Sequence, residues 1–190
     1  SFDPADCLNA IVAWPTDDLP RVAQVDRLDT YTDSNWGPQD ASRPKPDETR
    51  TDAEMYSLLG AVVTYMGGPI DWRSVREKKA SRSVCESEIR GMDEGTKMVL
   101  ALRHLFEDFG ATHLSAPTPI LYSDSQGGLA WAQSEAITKK LRHVNLREVA
   151  VRDSLRAGDI GHGHIPGRLN PSDIFTKEMK DTTHFLLLRS

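Results

Sequence analysis

The stretch Leu121-Tyr122-Ser123-Asp124-Ser125-Gln126-Gly127-Gly128 constrains this chain more than any other. The apolar run from Pro119 to Tyr122 reads as a buried strand. It delivers one carboxylate, Asp124, at its C-terminal tip, and the two glycines that follow let the backbone come close to a neighbour. In an α/β sheet, the C-terminal end of a strand is where ligands and chemistry collect. Three other carboxylates stand in comparably punctuated settings: Asp33, Glu88 and Asp173. The expectation is that these four meet around divalent metal ions.

A chain of 190 residues is long enough for one domain with a full core. Its net charge of -5 lacks the basic excess of a generic nucleic-acid binder, which leaves room only for local basic faces. The two cysteines, Cys7 and Cys85, make neither a disulfide framework nor a zinc site, so packing in a reducing compartment is their expected role. No apolar run is long enough to span a membrane, and the N-terminus lacks the regions of a signal peptide. An intracellular location is expected. The chain begins at Ser1, which suggests a piece of a longer polypeptide.

Residues 1–26 read as a lead-in segment with no assigned role, and 27–190 as the domain. Arg27 to Thr32 alternates as a strand does and ends at Asp33. Pro38 to Asp52 is a proline-rich, charged surface loop. Met55–Met66 and Pro69–Val75 are two further strands, joined by a turn at Gly67-Gly68. After Pro119–Tyr122 come a short helix over Gly128–Gln133, a helix over Asn145–Leu155 and a strand over Gly158–Ile165. Asn170 caps a last helix, with Pro171 at its first position and Asp173 in its first turn, reaching Met179. The apolar tail Phe185–Leu188 needs something to cover it.

The long helix, Val84 to Phe109 with Gly110 as its stop, carries a stripe of Cys85, Ile89, Met92, Thr96, Val99, Leu102, Phe106 and Phe109. Glu88 lies on that stripe. Glu86, two positions away, faces elsewhere, so periodicity selects Glu88 as the inward carboxylate. Gly91 and Gly95 beside it predict a close approach of neighbouring backbone.

Taken singly, these acids have plain structural readings. Asp33 is a turn former, Asp124 a helix cap, and Asp173 a first-turn carboxylate favoured by the helix dipole. Glu88 resists such a reading, because an unpaired carboxylate on an apolar stripe is costly.

The order of motifs resembles the ribonuclease H fold, and more closely the ribonuclease H domain of copia-type LTR retrotransposon polyproteins. Tyr31-Thr32-Asp33-Ser34-Asn35-Trp36 resembles that family's first Asp motif. Ser83-Val84-Cys85-Glu86-Ser87-Glu88 stands where the family has a Ser/Thr-Glu-Ala-Glu run. Tyr122-Ser123-Asp124-Ser125-Gln126 is similar to its next motif. Arg142-His143-Val144-Asn145-Leu146-Arg147 resembles its Lys-His-Ile-Asp-Ile-Arg, with Asn145 in place of the usual Asp. Asn170-Pro171-Ser172-Asp173-Ile174-Phe175-Thr176-Lys177 resembles its closing motif, and Phe185 through Arg189 its final Leu-Arg.

The resemblance implies an α/β fold: a five-stranded mixed sheet, its first three strands antiparallel, flanked by helices. It implies a metal-dependent endonuclease that cleaves the RNA strand of RNA/DNA hybrids with two Mg²⁺ or Mn²⁺ ions. Asp33, Glu88, Asp124 and Asp173 would be both catalytic and metal-binding. Substrate contacts are expected from Ser34, Asn35 and Gln126 to sugar and minor groove, and from Lys78, Lys79, Arg82, Lys139, Lys140 and Arg142 to phosphates. Neither His162 nor His164 is given a catalytic role. An upstream polymerase domain or a larger complex is the implied partner, with the cytoplasm or a retroelement particle as the place and nucleus or organelle as further options. The rival reading is a catalytically silent scaffold or nucleic-acid-binding module. An integrase- or resolvase-type nuclease of the same fold is a third.

Overall fold

The computed structural model describes residues 26–36, 56–133 and 146–189. Residues 1–25 of the lead-in segment, the proline-rich loop and the basic run Lys139, Lys140, Arg142 with His143 lie outside the described residues. Five strands form one sheet in the order β3-β2-β1-β4-β5. They are β1 (Leu28–Asn35), β2 (Leu58–Tyr65), β3 (Gly68–Arg76), β4 (Ile120–Ser123) and β5 (Gly161–His164). The pairs β1/β2 and β2/β3 are antiparallel, and β1/β4 and β4/β5 are parallel. This is the mixed sheet that the sequence predicts.

β1 is the central strand and is buried almost throughout. It extends past the expected end at Thr32. Its pairing with β2 continues through Asp33↔Gly60 to Asn35↔Leu58, so Asp33 is a strand residue and not a turn former. The β2–β3 turn falls at Met66-Gly67, one residue earlier than expected. Both residues have positive φ, 51° and 81°, the backbone that a tight two-residue hairpin requires.

The long helix α1 covers Val84–Asp108, with Gly110 at φ 72° just beyond it. At its start the Ser83 hydroxyl accepts from the Glu86 amide at 3.1 Å, and the Glu86 carboxylate accepts from the Arg82 amide at 2.7 Å. This reciprocal arrangement resembles a capping box. Ile89, Met92 and Val99 are buried against the sheet. Phe109 is a correction: it is 76% exposed, because the helix ends before this residue and the stripe no longer meets the sheet. The predicted close approach is present. A Cβ on Gly91 would lie 3.2 Å from the Asp33 carbonyl oxygen, and one on Gly95 would lie 2.4 Å from Thr32 Cγ2. Glycine at both positions lets α1 lie directly on β1.

The remaining helices are α2 (Thr112–Ser115), α3 (Gln126–Gln133), α4 (Leu146–Ala157) and α5 (Thr182–Arg189). Arg152 ties α4 to α3: its guanidinium donates to the Trp131 carbonyl at 2.8 and 3.0 Å and lies 4.0 Å above the Trp131 ring. The segment holding Asp173 is a correction. It is a short 3₁₀ helix, Pro171–Phe175, and not an α-helix reaching Met179. Serine, aspartate and threonine compete locally for backbone hydrogen bonds and favour tight turns over continued helix. The apolar tail forms α5, where Leu188 is buried and Phe185, Leu186 and Leu187 are half-buried.

Candidate active site

Three elements converge at one end of the central parallel strands. The β1/β4 register ends at Thr32↔Ser123. The next residue along each chain segment is an acid, Asp33 still within β1 and Asp124 just past the end of β4, so the parallel register makes them neighbours. The third acid comes from far along the chain. Gly60 pairs with Asp33 across β1/β2, and the Pro171–Phe175 segment sits on Gly60: a Cβ there would lie 2.6 Å from Thr176 Cγ2 and 2.9 Å from the Ser172 carbonyl oxygen. Asn170, fully buried, fixes the segment. Its side-chain amide donates to the Thr32 carbonyl at 3.0 Å, while its oxygen accepts from the Ser172 amide at 3.2 Å and hydroxyl at 2.6 Å. Asp173 is thereby set against the other two. Carboxylate oxygens of Asp33, Asp124 and Asp173 all lie within 4.8 Å of one another.

Glu88 faces the same cluster from α1. Burial, then the charges of Asp33 and Asp124, push its carboxyl up to about 8, against a smaller opposing effect from Ser34 and Lys177. Burial pushes Asp173 up to about 6, with its hydrogen bond to Lys177 opposing and the Asp33 charge adding. Asp124 is raised by burial and by Asp33. Like charges crowded in a poorly solvated pocket favour bound protons, or any cation that replaces them. Glu86 is also buried, but away from this cluster, where Arg90 holds its carboxylate at 2.7 Å.

Asp124 is not spent on capping. The Ser125 hydroxyl accepts from the Gly128 amide at 3.1 Å and takes that role at α3. Ser34 is buried beside Glu88. Asn35 donates its side-chain amide to the Thr176 carbonyl at 3.2 Å. Gln126 is exposed at the first position of α3, and Lys78, Lys79 and Arg82 are exposed on the β3–α1 connection.

Two side chains in this cluster have no part in the sequence-based site. The Thr176 hydroxyl donates to Asp33 Oδ2. The Lys177 ammonium donates to Asp173 Oδ1 at 2.7 Å and to Asp33 Oδ1 at 3.4 Å. The only sequence signal was their position in the closing motif. His164, at the end of β5, is near enough to Asp124 for its charge to lower that carboxyl.

This sheet order, with acids at the ends of β1 and β4, defines a ribonuclease H-like fold. LC11-RNase H1, isolated from compost by a metagenomic approach, superposes with a TM-score of 0.51 at 14% identity, covering 80% of this chain and 94% of that one. The same enzyme in complex with an RNA/DNA hybrid gives a TM-score of 0.50 at 14% identity, over 78% and 93%. In sequence, the chain is 25% identical over 134 residues to the retrovirus-related Pol polyprotein from transposon TNT 1-94 of Nicotiana tabacum, covering 67% of this chain. It is 23% identical over 153 residues to that from transposon RE2 of Arabidopsis thaliana, covering 80%. The chain spans about a tenth of the length of both polyproteins. No family model matches. The fold is thus ribonuclease H-like, and the relatives in sequence are retrovirus-related transposon polyproteins.

Proposed function

We propose that residues 27–190 form a metal-dependent ribonuclease H that cuts the RNA strand of RNA/DNA hybrids. The observation that carries this reading is the meeting of Asp33, Asp124 and Asp173, from three distant segments, within 4.8 Å, with Glu88 electrostatically coupled to two of them. Such a costly concentration of buried and half-buried acids is what a cation site requires. The donor set is all oxygen, which suits Mg²⁺ or Mn²⁺ and not zinc.

In this reading Asp33 and Asp124 are the central ligands. Glu88 closes the site on the α1 side, and Asp173 closes it on the side of the last segment. Two divalent ions held by these carboxylates would supply an activated water and stabilise the leaving oxygen of the displacement. Gln126 is exposed two residues from Asp124, where a ribose 2′-hydroxyl could be read; the Ser34 hydroxyl and the Asn35 side-chain oxygen are buried and would have to open to share in that contact. Lys78, Lys79 and Arg82, with Lys139, Lys140 and Arg142, would hold phosphates. The hybrid seen with LC11-RNase H1 supports the choice of substrate. An upstream polymerase on the same polypeptide fits the transposon relatives.

Labelled RNA/DNA hybrid, double-stranded DNA and single-stranded RNA, each offered with Mg²⁺ or Mn²⁺, test the reading. Cutting confined to the RNA strand of the hybrid is expected. Cutting of DNA would point to an integrase- or resolvase-type nuclease. No cutting by folded protein at low salt would point to a scaffold.

A further inference from the structure

The carboxylate cluster already holds a cation of this chain's own. Both oxygens of Asp33 accept from the closing segment, Oδ2 from the Thr176 hydroxyl and Oδ1 from the Lys177 ammonium. Asp173 Oδ1 accepts from the same ammonium at 2.7 Å. We propose that Lys177 is a resident counter-ion that stabilises the metal-free site and must leave before a divalent cation can take Asp33 and Asp173. It thereby sets the affinity of that half of the site. The inference rests on the metal reading of these carboxylates.

The two donors are not equally able to move. Thr176 is buried, sits on the short segment that packs on Gly60, and its hydroxyl also contacts the Asp173 carbonyl at 3.4 Å. Lys177 is anchored by its backbone amide to the Asp173 carbonyl at 2.9 Å, but its side chain is 40% exposed. A flexible four-carbon stem at the rim can swing into solvent with no change in the fold. One ammonium compensates one charge among crowded carboxylates, and each of its hydrogen bonds uses an oxygen lone pair that a hard cation needs. Exchange of Lys177 for a divalent ion is therefore competitive. Asp124 feels the Lys177 charge but shares no hydrogen bond with it among the described residues, so its oxygens stay free of that ammonium.

The test is Mn²⁺ titration of the whole chain, without nucleic acid, followed by loss of the free-ion electron paramagnetic resonance signal. The proteins are wild type, Lys177→Met, Lys177→Arg and Lys180→Met, the last removing an equal charge from an exposed neighbouring position. Lys177→Met should bind Mn²⁺ at least about tenfold more tightly, the low end for removing a unit charge beside a cation at a partly exposed site. Lys177→Arg and Lys180→Met should stay near wild type. Equal affinity in wild type and Lys177→Met would overturn the proposal and leave the metal reading standing. No uptake by any of the four would overturn both. Thermal melting covers a poorly folding variant: Lys177→Met should melt lower than wild type in EDTA and gain more from Mn²⁺. A Lys177→Met protein that melts as wild type does in EDTA, or that stays unfolded in saturating Mn²⁺, would also overturn the proposal.

Discussion

The Asn170 side-chain amide donates to the carbonyl of Thr32 at 3.0 Å, 138 residues away along the chain and one residue before Asp33. This bond fixes the closing segment against the central strand. It determines where Asp173, Thr176 and Lys177 stand relative to Asp33. The site is thus held by a buried amide that is not itself one of the four acids.

Replacement of Asn170 by Ala should destabilise the domain by about 1–3 kcal/mol, because it strands a buried carbonyl and removes the cap of the 3₁₀ segment. Urea unfolding measures this. Divalent affinity should fall with it, since Asp173 loses its placement.

Gly60→Ala is expected to act on the same segment from the other side. The added methyl would overlap Thr176 Cγ2 at 2.6 Å and the Ser172 carbonyl at 2.9 Å. Overpacking of this kind typically costs about 1–3 kcal/mol. Retention of full stability and unchanged metal binding would show that the segment does not rest on Gly60.

The buried acids make stability depend on pH in a definite direction. Glu88 is raised from 4.5 to about 8 and Asp173 from 3.8 to about 6, burial being the largest cause for each. Between the unfolded and folded values the native state binds more protons than the unfolded state, so stability falls as pH rises. The stabilisation is fully present below pH 3.8–4.5 and is lost as pH passes through about 6 for Asp173 and about 8 for Glu88. Melting temperatures in EDTA across this range should decline from these two groups. Saturating Mg²⁺ should flatten the decline by replacing protons, and Glu88→Gln should remove much of it.

The exposed cations on the β3–α1 connection should govern hybrid affinity and not chemistry. Replacing Lys78, Lys79 and Arg82 by Ala is expected to weaken hybrid binding and to reduce the log–log salt slope by roughly one for each phosphate no longer neutralised. Fluorescence anisotropy at several salt concentrations reads both. An unchanged slope would place the hybrid elsewhere.

Much of this architecture is visible in local sequence pattern. Glu88 stands out because a carboxylate on an apolar helical stripe needs a reason, and Gly91 and Gly95 announce the contact between α1 and β1. Asp124 follows a short apolar strand, and the order of motifs supplies the sheet. What the pattern misses is non-local. Asp33 looks like a turn residue until β2 pairs alongside it through Leu58. Asp173 looks like part of an α-helix, but Asn170 and the packing on Gly60 hold its segment as a 3₁₀ turn. Thr176 and Lys177 enter the site only because that turn directs them back to Asp33. Phe109 keeps the stripe's spacing but lies beyond the helix end. No periodicity encodes these pairings.

The most direct measurement is cleavage of a hybrid with labelled RNA by wild type and Asp124→Asn, in Mg²⁺ and in EDTA. Asp124 is raised by burial and by Asp33, so the neutral amide should leave the metal-free fold at least as stable as wild type. The account predicts RNA-strand cutting by wild type that EDTA abolishes and that Asp124→Asn lacks while remaining folded. Undiminished cutting by Asp124→Asn, or cutting that persists in EDTA, would contradict the claim that these carboxylates carry metal-dependent hydrolysis.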